Sequence, residues 1–365
     1  MDKKFVIHRA DIENNVRVIS EKVNGARIYA VLKGNGYGMG IFPFALALFD
    51  NGIRHFAVTA PTDAVFLREH FEEAETLLLT PCNSIEMMRD IVAANITATI
   101  DSLRSAAELD KLAKEAGKTV TVNIKIDTGM GRFGFKPDEI EQIKKACELE
   151  NLNVEGIYTH LHSAFNKKTA PSLKQFNIFM SVIEKLGESG IDIPIRHVCN
   201  STAIFRFPNM YLTAVRAGSA LIGRLPAVCG KTGLVKIGTF YAKIDDIRTL
   251  PKGHNIGYAA LYKTCKEKKI ICVSAGYSDG ITVCKANDTF RFIDILRYMF
   301  NDFKLLFKPM PLYCKINGKT TTSVGRIGMT SFVIDGDNID AKIGDYVEIP
   351  VNPLYLSEQI TREYD

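Results

Sequence analysis

Hydrophobic positions change period along the chain. From residue 26 to about 223, short aliphatic and β-branched runs alternate with stretches whose apolar side chains recur every three to four positions. The short runs, 27–33, 54–59, 76–80, 96–100, 119–126, 154–160, 193–199 and 212–216, predict strands. The amphipathic stretches between them, such as 41–50, 61–73, 84–94, 102–117, 137–150 and 171–189, predict helices. Eight β units separated by helical units predict a (β/α)8 barrel, and a doubly wound open sheet gives a similar pattern. After about residue 230 the texture becomes rich in Val, Ile, Thr and Tyr, with Gly, Asp and Asn turns at 233–247, 269–275, 311–316, 322–334 and 345–350. That predicts a mostly-β domain, a small barrel or sandwich. The fold class is therefore α/β, with a barrel in 1–232 and a β domain in 233–365. The first ten or so residues are free to join the β domain, and Arg9-Ala10-Asp11-Ile12 opens an N-capped helix.

One segment departs from the β texture. Within 290–308, Phe292, Ile295, Leu296, Met299, Phe300, Phe303, Leu306 and Phe307 follow i, i+3, i+4, i+7 spacing, which predicts an inserted amphipathic helix. Its apolar stripe is expected to pack on the β domain itself or on a dimer neighbour. The flanking Arg291, Arg297, Lys304 and Lys308 leave membrane-surface binding as the lesser alternative.

Composition narrows the function classes. The 365 residues are 46% apolar and 24% charged, ordinary for a globular protein, and long enough for one large and one smaller core. A net charge of +5, with no basic run, argues against nucleic acid but suits a site for phosphate and carboxylate. No eighteen-residue apolar run is present, so no membrane span is expected, and Met1-Asp2-Lys3-Lys4-Phe5 lacks a signal-peptide core. Cys82, Cys147, Cys199, Cys229, Cys265, Cys272, Cys284 and Cys314 form no C-x-x-C pair, so free cytoplasmic thiols and no metal site are expected.

Chemistry concentrates at the ends of the predicted barrel strands. In Tyr29-Ala30-Val31-Leu32-Lys33-Gly34-Asn35-Gly36-Tyr37-Gly38-Met39-Gly40, an apolar run ends in a lysine followed by a glycine-rich turn. Lysine forms Schiff bases with pyridoxal phosphate, and a strand-end lysine points into a barrel mouth. Asn123 to Phe135, Asn-Ile-Lys-Ile-Asp-Thr-Gly-Met-Gly-Arg-Phe-Gly-Phe, delivers Lys125 and Asp127 and then Arg132, whose planar fork pairs with carboxylates or phenolates. Gly156-Ile157-Tyr158-Thr159-His160 ends another strand; a lone histidine there is more often structural than catalytic. Asn200-Ser201-Thr202 opens a helix after strand seven, and Val215-Arg216-Ala217-Gly218-Ser219 follows strand eight, where barrel phosphate sites are common. The β domain adds Gly257-Tyr258-Ala259-Ala260, Gly276-Tyr277-Ser278-Asp279-Gly280 and Val324-Gly325-Arg326-Ile327-Gly328-Met329.

Taken in order, these segments resemble the alanine racemase family, the fold-type III pyridoxal phosphate enzymes, over nearly the whole chain to about residue 350. The resemblance implies a barrel, a β domain and a head-to-tail homodimer with shared active sites. It implies pyridoxal 5'-phosphate as cofactor, held by Lys33, which also serves as one base. Tyr258 of the partner subunit would be the second base, since racemisation removes the α-proton on one face and returns it on the other. A phenol titrating near ~10 needs cationic help, which the resemblance assigns to His160 and Arg216. Arg216 would also donate to the pyridine nitrogen, keeping it unprotonated. Tyr37, Asn200, Ser201, Gly218 and Ser219 fall at the cofactor's phosphate or beside it. Arg132 and the main chain at Met329 match the substrate carboxylate, Tyr277 lines the entrance, and Lys125 falls where many members carry a carbamylated lysine.

The chain departs from the family in four places. Gly34, Gly36 and Met39 stand where alanines and a histidine are usual. Thr330 replaces an aspartate, the helix near 290–308 is inserted, and the C-terminus is shortened, with Tyr355 or Tyr364 as stand-ins for a phosphate-binding tyrosine. These departures keep a serine, broad-specificity or basic amino-acid racemase beside alanine. A silent pyridoxal phosphate carrier would lack a β domain bearing Tyr258. A related decarboxylase needs a cysteine–acid motif that Gly328-Met329-Thr330 does not supply, and glycines at 34, 36, 38 and 40 do not fit G-x-G-x-x-G.

Overall fold

The computed structural model describes residues 2–81, 83–288, 290–307 and 310–365; Cys82 and Lys308 lie outside them. Two compact units emerge, Arg9–Ile237 and a second made of Met1–His8 with Gly238–Asp365.

The chain opens with β1 (Lys3–Ile7) of the second unit and then the helix Arg9–Val23. The first unit follows as a parallel sheet of β2 (Arg27–Val31), β3 (His55–Val58), β4 (Glu75–Leu78), β5 (Ala98–Ile100), β6 (Val120–Lys125), β7 (Leu152–Tyr158), β8 (Ile195–Asn200) and β9 (Ala214–Ala217). Its order is β4-β3-β2-β9-β8-β7-β6-β5, and a parallel bridge between Leu77 and Thr97 joins the two edges, so the sheet closes as a barrel. Buried on both faces, these strands read as continuous apolar runs. Tyr29, Val31, Ala57, Leu77 and Ala214 form one packed cluster. The helices Ile41–Asp50, Pro61–His70, Ile85–Ala93, Leu103–Glu115, Ile140–Cys147 and Ala170–Glu188 cross between strands. Ser102 caps one of them by accepting the Ser105 N–H at 3.2 Å.

The division between the units falls after Ile237, later than the residue 232 expected from sequence. Asn15 holds this stretch to the first helix. Its Nδ2 donates to the Val235 carbonyl at 2.8 Å and its Oδ1 accepts the Val235 N–H at 2.8 Å.

The second unit is a mostly antiparallel sheet, with β1 and β18, from the two ends of the chain, paired in parallel at one edge. It comprises β10 (Thr239–Leu250), β11 (Asn255–Ile256), β12 (Tyr262–Lys263), β13 (Lys268–Val273), β14 (Tyr313–Ile316), β15 (Lys319–Val324), β16 (Phe332–Asp335), β17 (Tyr346–Ile349) and β18 (Thr361–Tyr364). Pairing runs β13-β16-β15-β14-β17-β10-β1-β18, with β13 also pairing β10. The inner residues Phe240, Ala242, Ile271, Val273, Ile334 and Val347 are buried.

The inserted helix spans Phe292–Leu305. Its expected packing on the β domain is not found, because Phe292, Met299, Phe300, Phe303, Leu306 and Phe307 are exposed in the single chain. Its ion pairs are internal: Asp294 pairs with Arg291 at 2.5 Å and Arg297 at 3.0 Å, each three residues away along the same helix. Among the described residues, no helix is long and apolar enough to cross a membrane.

Candidate active site

The C-terminal ends of the barrel strands enclose a cavity of about 570 Å³ lined by Lys33, Tyr37, Lys125, Arg132, His160, Asn200, Ser201, Arg216, Gly218 and Ser219, with Val31, Leu79 and Tyr158 beneath. All ten barrel residues singled out in the sequence thus meet in one place.

Lys33 leaves β2 into a left-handed turn. Gly34, Asn35, Gly36 and Tyr37 all have φ between 52° and 62°, and Gly38 follows at 85°. Only glycine takes that conformation without steric penalty. The turn is fastened by the Asn35 carbonyl, which accepts from Gly38 and Gly40, and by Asn35 Oδ1, which accepts the Ile41 N–H at 2.8 Å. It swings the Tyr37 ring back into the cavity, 6.0 Å below Lys33 Nζ. A Cβ on Gly218 would sit 2.3 Å from the Tyr37 hydroxyl, so the two residues fix each other. Ser201 Oγ gathers the same corner by accepting the N–H groups of Gly218 at 2.8 Å and Ala220 at 3.1 Å. Asn200 spends its carbonyl oxygen capping the next helix at the Ala203 N–H, 3.1 Å away.

Opposite, Asp127 accepts the N–H groups of Gly129, Met130 and Gly131 at 2.8–3.1 Å and so folds the loop that carries Arg132. Those bonds hold the Asp127 carboxyl below its ordinary pKa, although burial opposes them.

The cavity is strongly cationic, and the charges tune one another. Arg216 is buried on the cavity floor and donates to the His197 carbonyl at 2.9 Å, the Thr159 carbonyl at 2.6 Å and His197 Nδ1 at 2.9 Å. Its guanidinium lies 5.0 Å over the Tyr158 ring. Desolvation lowers Arg216 to about 10. Desolvation, then Arg132 and Arg216, lowers the buried Lys125 to about 8. Lys33 is lowered as well, by desolvation and then by Arg132. His160 falls to about 3, through desolvation first and then Arg216, Lys125, Lys33 and Arg132. His160 is therefore neutral at physiological pH. Of the two residues from which the resemblance expects cationic help, Arg216 keeps its charge and His160 does not.

His197 and Asn123 were not singled out from sequence. His197 is wholly buried and stacked between Tyr29 and Tyr158, with ring centroids 5.2 and 4.8 Å away. Since Arg216 donates to Nδ1, the ring must be neutral with its proton on Nε2. That proton goes to Asn123 Oδ1 at 2.9 Å. A side chain on Gly156 would overlap Asn123, which explains the glycine. A histidine inside an apolar strand was the available signal, but its hydrogen-bond partner Asn123 comes from β6, which does not pair with β8.

Tyr258, Tyr277 and Met329 belong to the other unit, where they also converge. The Tyr277 N–H donates to the Gly328 carbonyl at 3.1 Å. Ser278 donates to the Met329 carbonyl from its N–H at 3.1 Å and its Oγ at 2.7 Å. An added Cβ on Gly328 would meet the Tyr258 ring at 3.4 Å, and one on Gly276 would strike the Met329 carbonyl oxygen at 2.2 Å. Tyr258, Tyr277 and Met329 are all exposed in the single chain.

Lys33, Tyr37 and Arg216, which the sequence singled out, share this cavity, whereas His197, the histidine that braces Arg216, was not among the expected residues. The comparisons give the family. Residues 7–226 match the family model for the alanine racemase N-terminal domain and residues 237–361 that for the alanine racemase C-terminal domain. The chain belongs to the alanine racemase family. The alanine racemase of Methanococcus maripaludis is 33% identical over 345 residues, 93% of this chain and 86% of that protein. That of Desulforamulus reducens is 33% identical over 356 residues, 94% of this chain and 90% of that protein. The solved alanine racemase of Clostridium difficile 630 superposes with a TM-score of 0.87 at 27% identity, covering all of this chain and 96% of that one. The barrel and β domain are therefore those of alanine racemases.

Proposed function

We propose that this protein is a cytoplasmic pyridoxal-5'-phosphate-dependent racemase that interconverts L- and D-alanine by two bases, as a homodimer with shared sites, in the supply of D-alanine. The observation that carries the reading is the single cavity that joins Lys33, Tyr37, Ser201, Arg216 and Gly218 with Lys125 and Arg132. The donor set suits the cofactor: one amine of lowered pKa for the aldehyde, a tyrosine, a serine and a glycine corner for the phosphate, and an arginine too basic to surrender its proton. When bound, pyridoxal phosphate supplies an electron-withdrawing ring that acidifies the amino acid's α-carbon.

The chain's own residues do the rest. Lys33 would hold the cofactor and carry the α-proton on one face. Tyr37, Asn200, Ser201, Gly218 and Ser219 would hold the phosphate. Arg216, which stays charged, would serve the pyridine nitrogen and favour its unprotonated form, which would narrow the chemistry to proton exchange. Tyr258, brought by the partner subunit, carries the proton on the other face. Arg132 and the Met329 main chain hold the substrate carboxylate, and Tyr277 frames the entrance. Lys125, near pKa 8, has about a tenth of its amine neutral at pH 7. That neutral amine can add carbon dioxide, lose a proton and become a carbamate that orients Arg132.

Subunit mixing tests the reading. Lys33→Ala and Tyr258→Phe should each be inactive, and Lys33→Ala should lack the visible band that borohydride abolishes. Mixed dimers should regain activity, because one of their two composite sites holds both bases. Unchanged turnover in Lys33→Ala overturns the reading, and so does failure to complement after demonstrated subunit exchange. Thr330, in place of the family's aspartate, favours a second reading as a serine or basic amino-acid racemase. A panel of L-amino acids followed by circular dichroism separates the two.

A further inference from the structure

We infer that Lys3 and Asp279 are positioning residues for the substrate: their ion pair sets the turn that carries Tyr277 and, through it, the main chain at Met329 that receives the carboxylate. The inference deepens the reading above and rests on its assignment of Tyr277 and Met329. All four residues belong to the second unit.

Lys3 stands in an unusual place for a lysine. β1 reads Lys-Lys-Phe-Val-Ile, and side chains alternate across a strand. Lys3 therefore shares a face with Phe5 and Ile7, both wholly buried, whereas Lys4 faces the other way and pairs with Glu363 at 2.8 Å. An ammonium beside buried apolar groups needs a partner, because a charge withdrawn from water without one is costly. Asp279 is that partner. Lys3 Nζ lies 2.8 Å from its Oδ1 and 2.9 Å from its Oδ2, and Asp279 is buried. Among the described residues, Lys3 is the one cation paired with it.

The carboxylate does more than neutralise the lysine. Asp279 Oδ2 accepts the Gly276 N–H at 2.9 Å, and the Asp279 N–H returns to the Gly276 carbonyl at 3.1 Å, so Asp279 closes the turn 276–280 on itself. Tyr277 and Ser278 lie inside that loop, and both bond onto the neighbouring chain. The Tyr277 N–H donates to the Gly328 carbonyl, and Ser278 donates to the Met329 carbonyl from both its N–H and its Oγ. The far side of the turn is packed just as closely. The Asp279 carbonyl accepts the Ser357 N–H at 3.3 Å, and a Cβ on Gly280 would strike the Tyr355 carbonyl oxygen at 2.3 Å. A turn wedged on both sides passes a displacement on rather than absorbing it. Removing Lys3 leaves the buried carboxylate uncompensated. Asp279 would then turn towards water and release the Gly276 N–H, and Ser278 would draw Met329 with it. Lys3 and Asp279 thus act through Tyr277 and Met329 without touching substrate.

The experiment uses the full chain loaded with pyridoxal phosphate. Lys3→Met should raise KM for L-alanine at least fivefold while kcat changes less than twofold, because the carboxylate site shifts and the two bases do not. Lys3→Arg, which restores the cation, should return KM to within twofold of wild type. Lys4→Met removes the ion pair of the next residue on the same strand and should leave KM unchanged, which separates positioning from a general loosening of β1. Lys3→Met/Asp279→Asn leaves no charge buried, so it should fold at least as well as Lys3→Met and exceed the larger single effect on KM by less than twofold. Hydrogen exchange followed by mass spectrometry needs no turnover. Amides in peptide 274–281 should exchange at least tenfold faster in Lys3→Met than in wild type or Lys4→Met. An unchanged KM, unchanged exchange, equal effects of Lys3→Met and Lys4→Met, or no rescue by Lys3→Arg would each overturn the inference. The shared-site reading fails separately. If Lys33→Ala and Tyr258→Phe complement while Lys3→Met keeps the wild-type KM, only the positioning role is lost.

Discussion

Histidine and lysine pKa values in the cavity set how the protein responds to pH. His160 falls from its ordinary 6.5 to about 3 in the folded state. Between those values the unfolded chain binds the proton and the folded one does not, so stability falls as pH drops from 6.5 towards 3. His197, lowered further, acts in the same direction. The melting temperature of His160→Gln should therefore decline less steeply across that window than that of the wild type. Equal slopes would show that His160 is not held neutral. Gly218→Ala offers a steric test, because the new methyl would meet the Tyr37 hydroxyl at 2.3 Å. Tyr37 must swing away, and pyridoxal phosphate affinity measured by fluorescence quenching should drop at least tenfold while the fold remains. The lysine, the tyrosine and the arginines were legible in sequence because each stands at a strand end beside glycines. His197 and Asn123 were not, because their pairing joins β6 to β8 across the barrel interior and leaves no local pattern.

Strands and turns show where sequence patterning suffices and where it stops. The barrel strands announce themselves as apolar runs because both faces are buried, and glycine or aspartate follows closely on β2, β5, β6 and β9. β1 and β18 are short and half polar, Lys-Lys-Phe-Val-Ile and Thr-Arg-Glu-Tyr, so their role depends on each other and on β10 rather than on their own composition. The stretch 322–334 read as one segment but is two strands, β15 and β16, separated by the glycine turn that holds Arg326 and Met329. The left-handed turn after Lys33 explains a departure from the family. With φ of 62° at both Gly34 and Gly36, glycine relieves a strain that alanine would carry. Gly36→Ala should cost about 1–2 kcal/mol in urea unfolding. Its Cβ would also press Phe44 at 3.3 Å. Gly34→Ala should cost no more than Gly36→Ala.

Two separate cores imply two cooperative units. The β unit depends on β1, which pairs with β10 and β18 and carries Lys3, ion-paired to Asp279 at 2.8 Å. Deleting residues 1–8 should lower or abolish the β unit's calorimetric transition and leave a barrel transition, followed by the near-ultraviolet signal of its buried tyrosines. A single transition, shifted as a whole, would show that the two units unfold as one.

Threading β1 into the far unit also has a consequence for biosynthesis. β1 ends at Ile7, and its first partner begins at Thr239, beyond the whole barrel. At the ordinary pace of translation, roughly 5–20 residues per second, β1 emerges from the ribosome about 10–50 s before β10 exists. During that interval Phe5 and Ile7, which are wholly buried in the finished sheet, have nothing to pair with. The nascent chain therefore carries an unpaired apolar strand ahead of the barrel while the barrel assembles. Lys3 and Lys4, the first two residues of that strand, act as solubilising gatekeepers until the later residues arrive.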